Sequence, residues 1–194
     1  MPLDVPWTNY IVLLDSDTQF ANQLGRDMQA SRSQYADYIT TKDPVRAHEH
    51  GARCEYAAWL YFRPACWLLF TREKQTPKPP DIEGFIEVRG RYEARHHPLY
   101  VLPKDPPEYA YLGVYAHNHP TYEIFGWVWG HEIKDKEEYY QCWIPGQPCF
   151  APKRGDPIIK PPELLYAELR RRQTDKYGPG WFDRVWIDNI DERQ

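Results

Sequence analysis

Asp81-Ile82-Glu83-Gly84-Phe85-Ile86-Glu87-Val88-Arg89 is the stretch on which the reading of this 194-residue chain turns. Run as one straight strand, at roughly 3.3 Å per residue, it would hold Asp81 and Glu87 about 20 Å apart, too far to share a metal ion. If Glu83, Gly84 and Phe85 instead form a three-residue hairpin loop, Ile82 faces Ile86 and Asp81 faces Glu87. Side chains alternate along a strand, so Ile82, Ile86 and Val88 then enter an apolar core while Asp81, Glu87 and Arg89 gather on the other side. Carboxylates whose Cβ atoms lie about 5 Å apart repel unless a cation or proton sits between them. A divalent metal relieves that repulsion.

Upstream, Asp43 is placed to cap a helix, Pro44 suits its first turn and Arg63-Pro64 ends it, which predicts a helix over 44–62. Its expected polar face carries Arg46, Glu49, His50 and Arg53. The opposite face carries His48, Ala52, Glu55, Ala58, Trp59 and Phe62. Glu55 is the anomaly: a glutamate on an apolar helix face costs several kcal/mol unless it is paired, protonated or bound to a metal. Gly51, Ala52, Ala57 and Ala58 are small enough to let that face approach a sheet closely.

Around this centre the pattern predicts an N-terminal helix over 16–38, capped by Ser16 or Asp17 and with Phe20, Leu24 and Met28 on one stripe. Strand-like segments at 81–91, 99–102, 110–116 and 122–129 are separated by the turn-rich His96-His97-Pro98, Lys104 to Pro107 and His117 to Pro120, reading as an antiparallel meander. A polar stretch and a Pro-rich loop lead to a short helix over about 162–172 and an aromatic tail, 181–194. No linker divides the chain, so the expectation is one α+β domain with its core at about 44–172.

Eight Trp, 15 Tyr and seven Phe supply a large buried payload, and 27% charged residues keep the surface wet. The net charge of −4 argues against coating nucleic acid by charge alone and leaves room for a local basic groove. The longest apolar run, near Trp67 to Phe70, is too short to cross a bilayer, and there is no signal-peptide start, so a cytoplasmic protein is expected. Cys54, Cys66, Cys142 and Cys149 show no CxxC spacing and read as incidental thiols.

Oxygen-only ligation by Glu55, Asp81 and Glu87 suits Mg²⁺ or Mn²⁺, which activates water and stabilises charge on a phosphate. In that order and spacing the residues resemble the PD-(D/E)XK nucleases, in which a helix Glu, a strand Asp and an acidic-x-Lys triplet bind Mg²⁺. Glu55 matches the helix acid, Asp81 the aspartate and Glu87-Val88-Arg89 the triplet. Gly51-Ala52-Arg53-Cys54-Glu55, Gly126-Trp127 and Pro148 to Pro152 look like small phage members of that superfamily, over roughly 45–170. The resemblance implies a restriction-endonuclease-like core, a mixed or antiparallel sheet flanked by helices, and a nuclease acting on nucleic acid, DNA ahead of RNA. It implies a phage or bacterial source, with the Val88 carbonyl completing the metal set, and it is compatible with a homodimer. Arg89 departs from the pattern: a guanidinium cannot act as a general base near neutral pH, though it can polarise a phosphate. The alternative is a catalytically inactive nuclease-fold interaction protein.

Other candidates read more plainly. His117-Asn118-His119, followed by Pro120, reads as a turn. His48 and His50 lie on different helix faces. Glu83 reads as an exposed loop tip. Arg170-Arg171-Arg172 with Lys153-Arg154 reads as a basic helix end meeting water, and Trp127 and Trp129, alternating with Val128, read as core.

Overall fold

The computed structural model describes residues 9–32, 43–63, 80–91, 99–144 and 147–180. Helix α1 (Asp15–Arg32) starts close to its expected place, and the remainder of the predicted span falls outside the described residues. Helix α2 (Pro44–Phe62) matches its expected span, with the Asp43 carboxylate accepting from the Arg46 amide at 3.0 Å. The 181–194 tail, His96 to Pro98 and Trp67 to Phe70 also lie outside the described residues.

Four strands, β1 (Tyr10–Val12), β2 (Ile86–Arg91), β3 (Ala110–Asn118) and β4 (Thr121–Trp129), form one sheet in the order β1-β4-β3-β2. β4 pairs antiparallel with β1 and β3, while β2 and β3 run parallel. The expected antiparallel meander is thus corrected to a mixed sheet. Antiparallel neighbours need only a tight turn, but the connection from Arg91 to Ala110 is long enough to return to the starting end. On its way Leu99 and Val101 pack into the core, and Val101 makes only a single bridge, to Phe150, where a strand over 99–102 was expected. β3 continues through His117 and Asn118, so the turn is confined to His119-Pro120. The Pro-rich loop hides a second sheet, β5 (Tyr140–Ile144) with β6 (Gln147–Phe150), preceded by the short helix α3 (Gly130–Lys134) and a 3-10 turn at Glu137–Tyr139.

The sheet separates two apolar clusters. On one face Ile86, Val88, Ala110, Leu112, Val114 and Ile124 meet Cys54, Ala57, Ala58 and Phe62 of α2 and Leu165, Tyr166 and Leu169 of α4 (Pro162–Tyr177). On the other, Tyr111 and Val128 meet Leu99, Val101, Ile133 and Tyr139. This is the α+β architecture expected, a mixed sheet flanked by helices. Trp127 is buried and its ring lies 5.2 Å from that of Trp129, edge to face, so the two share a face as their spacing requires.

Two glycines set the helix packing. A Cβ on Gly25 would come within 2.6 Å of the Glu49 Cα, which shows how closely α1 presses on α2. One on Gly90 of β2 would come within 2.7 Å of the Cys54 Sγ. The expected polar face of α2 is therefore solvated only at Arg46, which is exposed, while Glu49 and Arg53 are half-buried. Glu49 pairs with Arg26 at 2.8 Å, Arg53 donates to Asn22 at 2.6 Å, and His50 is 5% exposed. Helix α1 supplies the partners of Glu49 and Arg53, which helical spacing alone does not reveal. Among the described residues no helix is long and apolar enough to cross a membrane.

Candidate functional site

The Asp81 segment does turn. Ile82 and Ile86 form an antiparallel bridge with both amides donating across it, Ile82 to Ile86 at 3.0 Å and Ile86 to Ile82 at 3.1 Å. Glu83, Gly84 and Phe85 make the loop, with φ of +48° at Glu83 and +76° at Gly84. Ile86 and Val88 enter the α2 side of the core, as alternation predicts.

Among the described strands β2 lies at the edge of its sheet, and its outer side explains Asp81. Ile86 spends its outward-facing peptide groups on Ile82, and the next outward amide, that of Val88, donates to the Asp81 Oδ2 at 2.8 Å. An exposed strand edge offers unpaired amides, and here a carboxylate occupies one. A residue's N–H and C=O leave a strand on the same side, so the Val88 carbonyl points to the edge that Asp81 occupies.

Glu87 and Arg89 lie on the opposite face from α2. The Arg89 guanidinium binds the Glu87 Oε1 at 2.9 Å and the Asp105 Oδ2 at 2.5 Å, with all three side chains about 15% exposed or less. It also lies over the Tyr100 and Tyr111 rings at 5.3 and 5.2 Å. Burial alone would lower the Arg89 pKa, but Asp105, Tyr100 and Glu87 outweigh it and hold the group above its ordinary value. Asp105 was not singled out in the sequence. It also accepts from the Leu102 amide at 2.8 Å, and its backbone carbonyl accepts from Lys134, so the 102–105 loop is organised around Arg89. An Asp flanked by Pro103, Pro106 and Pro107 carries the signal of an ordered turn but not of its partner.

Glu55 is 7% exposed, as its place on an apolar helix face requires. It sits on α2, beside Cys54, whose thiol is pushed up by burial and then by Glu55. The helix packs on the Ile86/Val88 face, whereas the Glu87 side chain leaves the other. The turn therefore brings the Asp81 carboxylate to the Val88 peptide, the Glu87 side chain pairs with Arg89 on the sheet face away from α2, and Glu55 stands on α2. Among the described residues, no group of three or more His, Cys, Asp or Glu side chains is gathered as a metal-ion site. A site of two carboxylates and a backbone carbonyl still fits the chemistry of Mg²⁺, which retains several waters and commonly takes one or two carboxylates.

Of the remaining candidates, Glu83 is not a free loop tip: its Oε2 accepts from Gln173 of α4 at 2.6 Å. Arg171 binds Glu168 and Asp175, and Arg172 binds Glu168, so two of the three helix arginines are engaged by carboxylates. Those arginines hold the Glu168 carboxyl down at about 2. His131 stacks on Trp129 at 5.9 Å, and His119 lies 3.3 Å from the Thr18 hydroxyl.

Comparison of the chain with protein-family models, with curated proteins and with solved structures finds no match.

Proposed function

We propose that this chain is a divalent-metal-dependent phosphodiester hydrolase with a restriction-endonuclease-like core, acting on nucleic acid and on DNA ahead of RNA. The observation that carries the reading is the Asp81 turn, which sets one carboxylate against the Val88 peptide, in the strand that also carries Glu87. Asp81, Glu87, Glu55 of the neighbouring helix and the Val88 carbonyl are the oxygen donors for Mg²⁺ or Mn²⁺. When bound, such an ion supplies a water of lowered pKa and neutralises charge on the phosphate. Arg89, fixed by Glu87 and Asp105, keeps a permanent positive charge beside that phosphate position and takes no part as a base.

The test is cleavage of mixed DNA and RNA substrates with Mg²⁺, Mn²⁺ or EDTA by wild type, Asp81→Ala, Glu87→Gln and Glu55→Gln. Metal-dependent cutting lost in the Asp81 and Glu87 variants supports the reading, and the Glu55 variant reports whether the helix acid takes part.

A second reading, a nuclease-like fold that binds a partner without chemistry, is favoured by one observation. Glu87 and Arg89 already neutralise each other, with Asp105 as a further anion, which is what a structural ion-pair network looks like. Equal inactivity of wild type and variants across all substrates and metals selects this second reading.

A further inference from the structure

Glu83 is the one non-glycine residue with positive φ among those described, at +48°. An L side chain there is strained, because its Cβ crowds the following carbonyl, and the conformation persists only where surroundings enforce it. The surroundings here come from α4, ninety residues along the chain. Gln173, 3% exposed, donates its Nε2 to the Glu83 Oε2 at 2.6 Å. The neighbouring Arg172 lies 4.0 Å above the Phe85 ring. The Phe85 carbonyl in turn accepts from Ala110 at 2.8 Å, which ties the far end of the loop to β3.

Gln173 is an unusual choice for a core position. Its Oε1 is buried with no partner among the described residues, a cost that an apolar residue of similar size would avoid. Packing therefore does not explain the amide, but its bond to Glu83 does. We infer that Gln173 is a positioning residue for the Asp81/Glu87 edge: it holds Glu83 in the left-handed conformation, which closes the loop and delivers the Asp81 carboxylate to the Val88 peptide. Its consequence for metal binding rests on the nuclease reading above. The positioning itself rests on geometry alone.

The chain of cause is short. Without the Gln173 bond, Glu83 relaxes toward negative φ, the Ile82–Ile86 bridge loosens and Asp81 leaves the Val88 amide. A group that only filled space would not show this sequence of events, since Leu in its place would retain the volume.

The experiment is amide hydrogen exchange on the full chain, reading Val88 against interior amides of β3 and β4. Wild type is compared with Gln173→Leu, Gln173→Glu and the exchanged pair Glu83→Gln with Gln173→Glu. Loss of a hydrogen bond to a charged group is worth about tenfold or more, so Val88 exchange is expected to rise by about that factor in both single variants. Interior β3 and β4 amides should hold their protection. The exchanged pair restores one N–H to carboxylate bond with the roles reversed, and it should bring Val88 protection back. Unchanged Val88 exchange in Gln173→Leu, or no recovery in the exchanged pair, overturns the inference. A parallel Mn²⁺ titration of thermal stability separates the two claims. If wild type shows no Mn²⁺ response, the metal reading fails while the Val88 comparison still decides the role of Gln173. If wild type responds, the response should weaken in the single variants and return in the exchanged pair.

Discussion

Acid should destabilise this protein through His50 as the pH falls from about 6.5 to about 4. His50 of α2 is 5% exposed, with its Nε2 3.6 Å from the Cys54 Sγ beneath β2. Burial, and then the positive charge of Arg53, lower its pKa from 6.5 to about 4. The neutral imidazole is thus favoured by folding, and the unfolded chain takes up the proton first. Stability is complete above the unfolded value, falls as pH drops from about 6.5 to about 4, and has lost its full increment below that. The shift corresponds to roughly 3 kcal/mol in total, of which about 2 kcal/mol is gone by pH 5. Urea unfolding at pH 7.5, 6.0, 5.0 and 4.5 measures it. His50→Gln, a neutral amide that cannot titrate, isolates the term from other groups such as Glu168, whose lowered pKa acts only below its ordinary carboxylate range. The difference between wild type and His50→Gln should narrow, or change sign, by about 2 kcal/mol between pH 7.5 and 5.0. Parallel pH profiles for the two proteins would refute the reasoning.

Gly90→Ala puts a methyl 2.7 Å from the Cys54 Sγ and 2.9 Å from its Cβ, an overpacking expected to cost about 1–3 kcal/mol. An unshifted denaturation midpoint would contradict the close approach of α2 to β2. Arg89→Ala leaves Glu87 and Asp105 facing each other without their shared cation and should cost about 3 kcal/mol or more, measured by urea unfolding at neutral pH. Arg89→Lys, which restores the lysine of the nuclease pattern, should recover only part of that stability, because an ammonium lacks the planar fork that reaches both carboxylates. Full recovery by lysine would show that the two-carboxylate geometry is not what matters.

Local chemistry was legible wherever a residue's neighbours in the chain decide its conformation. Asp43, Pro44 and the closing Arg63-Pro64 defined α2, because capping and proline effects act within one helical turn. Gly84 and the alternation around it defined the Ile82–Ile86 turn, since a period of two leaves the apolar residues only one face to share. The same alternation placed Trp127 with Trp129.

Tertiary structure alone decided what faces what across long separations. The parallel pairing of β2 with β3 depends on where the Arg91 to Ala110 connection returns, and the same turn signals serve either direction. Arg89 meets Asp105 where the 102–105 loop returns to β2, Glu83 meets Gln173 where α4 reaches the turn, and no periodicity links those positions. Burial of His50 follows from β2 pressing Gly90 against the His50/Cys54 turn of a helix face that its own composition marks as polar. Propensity and pattern are sums over near neighbours, whereas partners for buried charge are found only when the layers close.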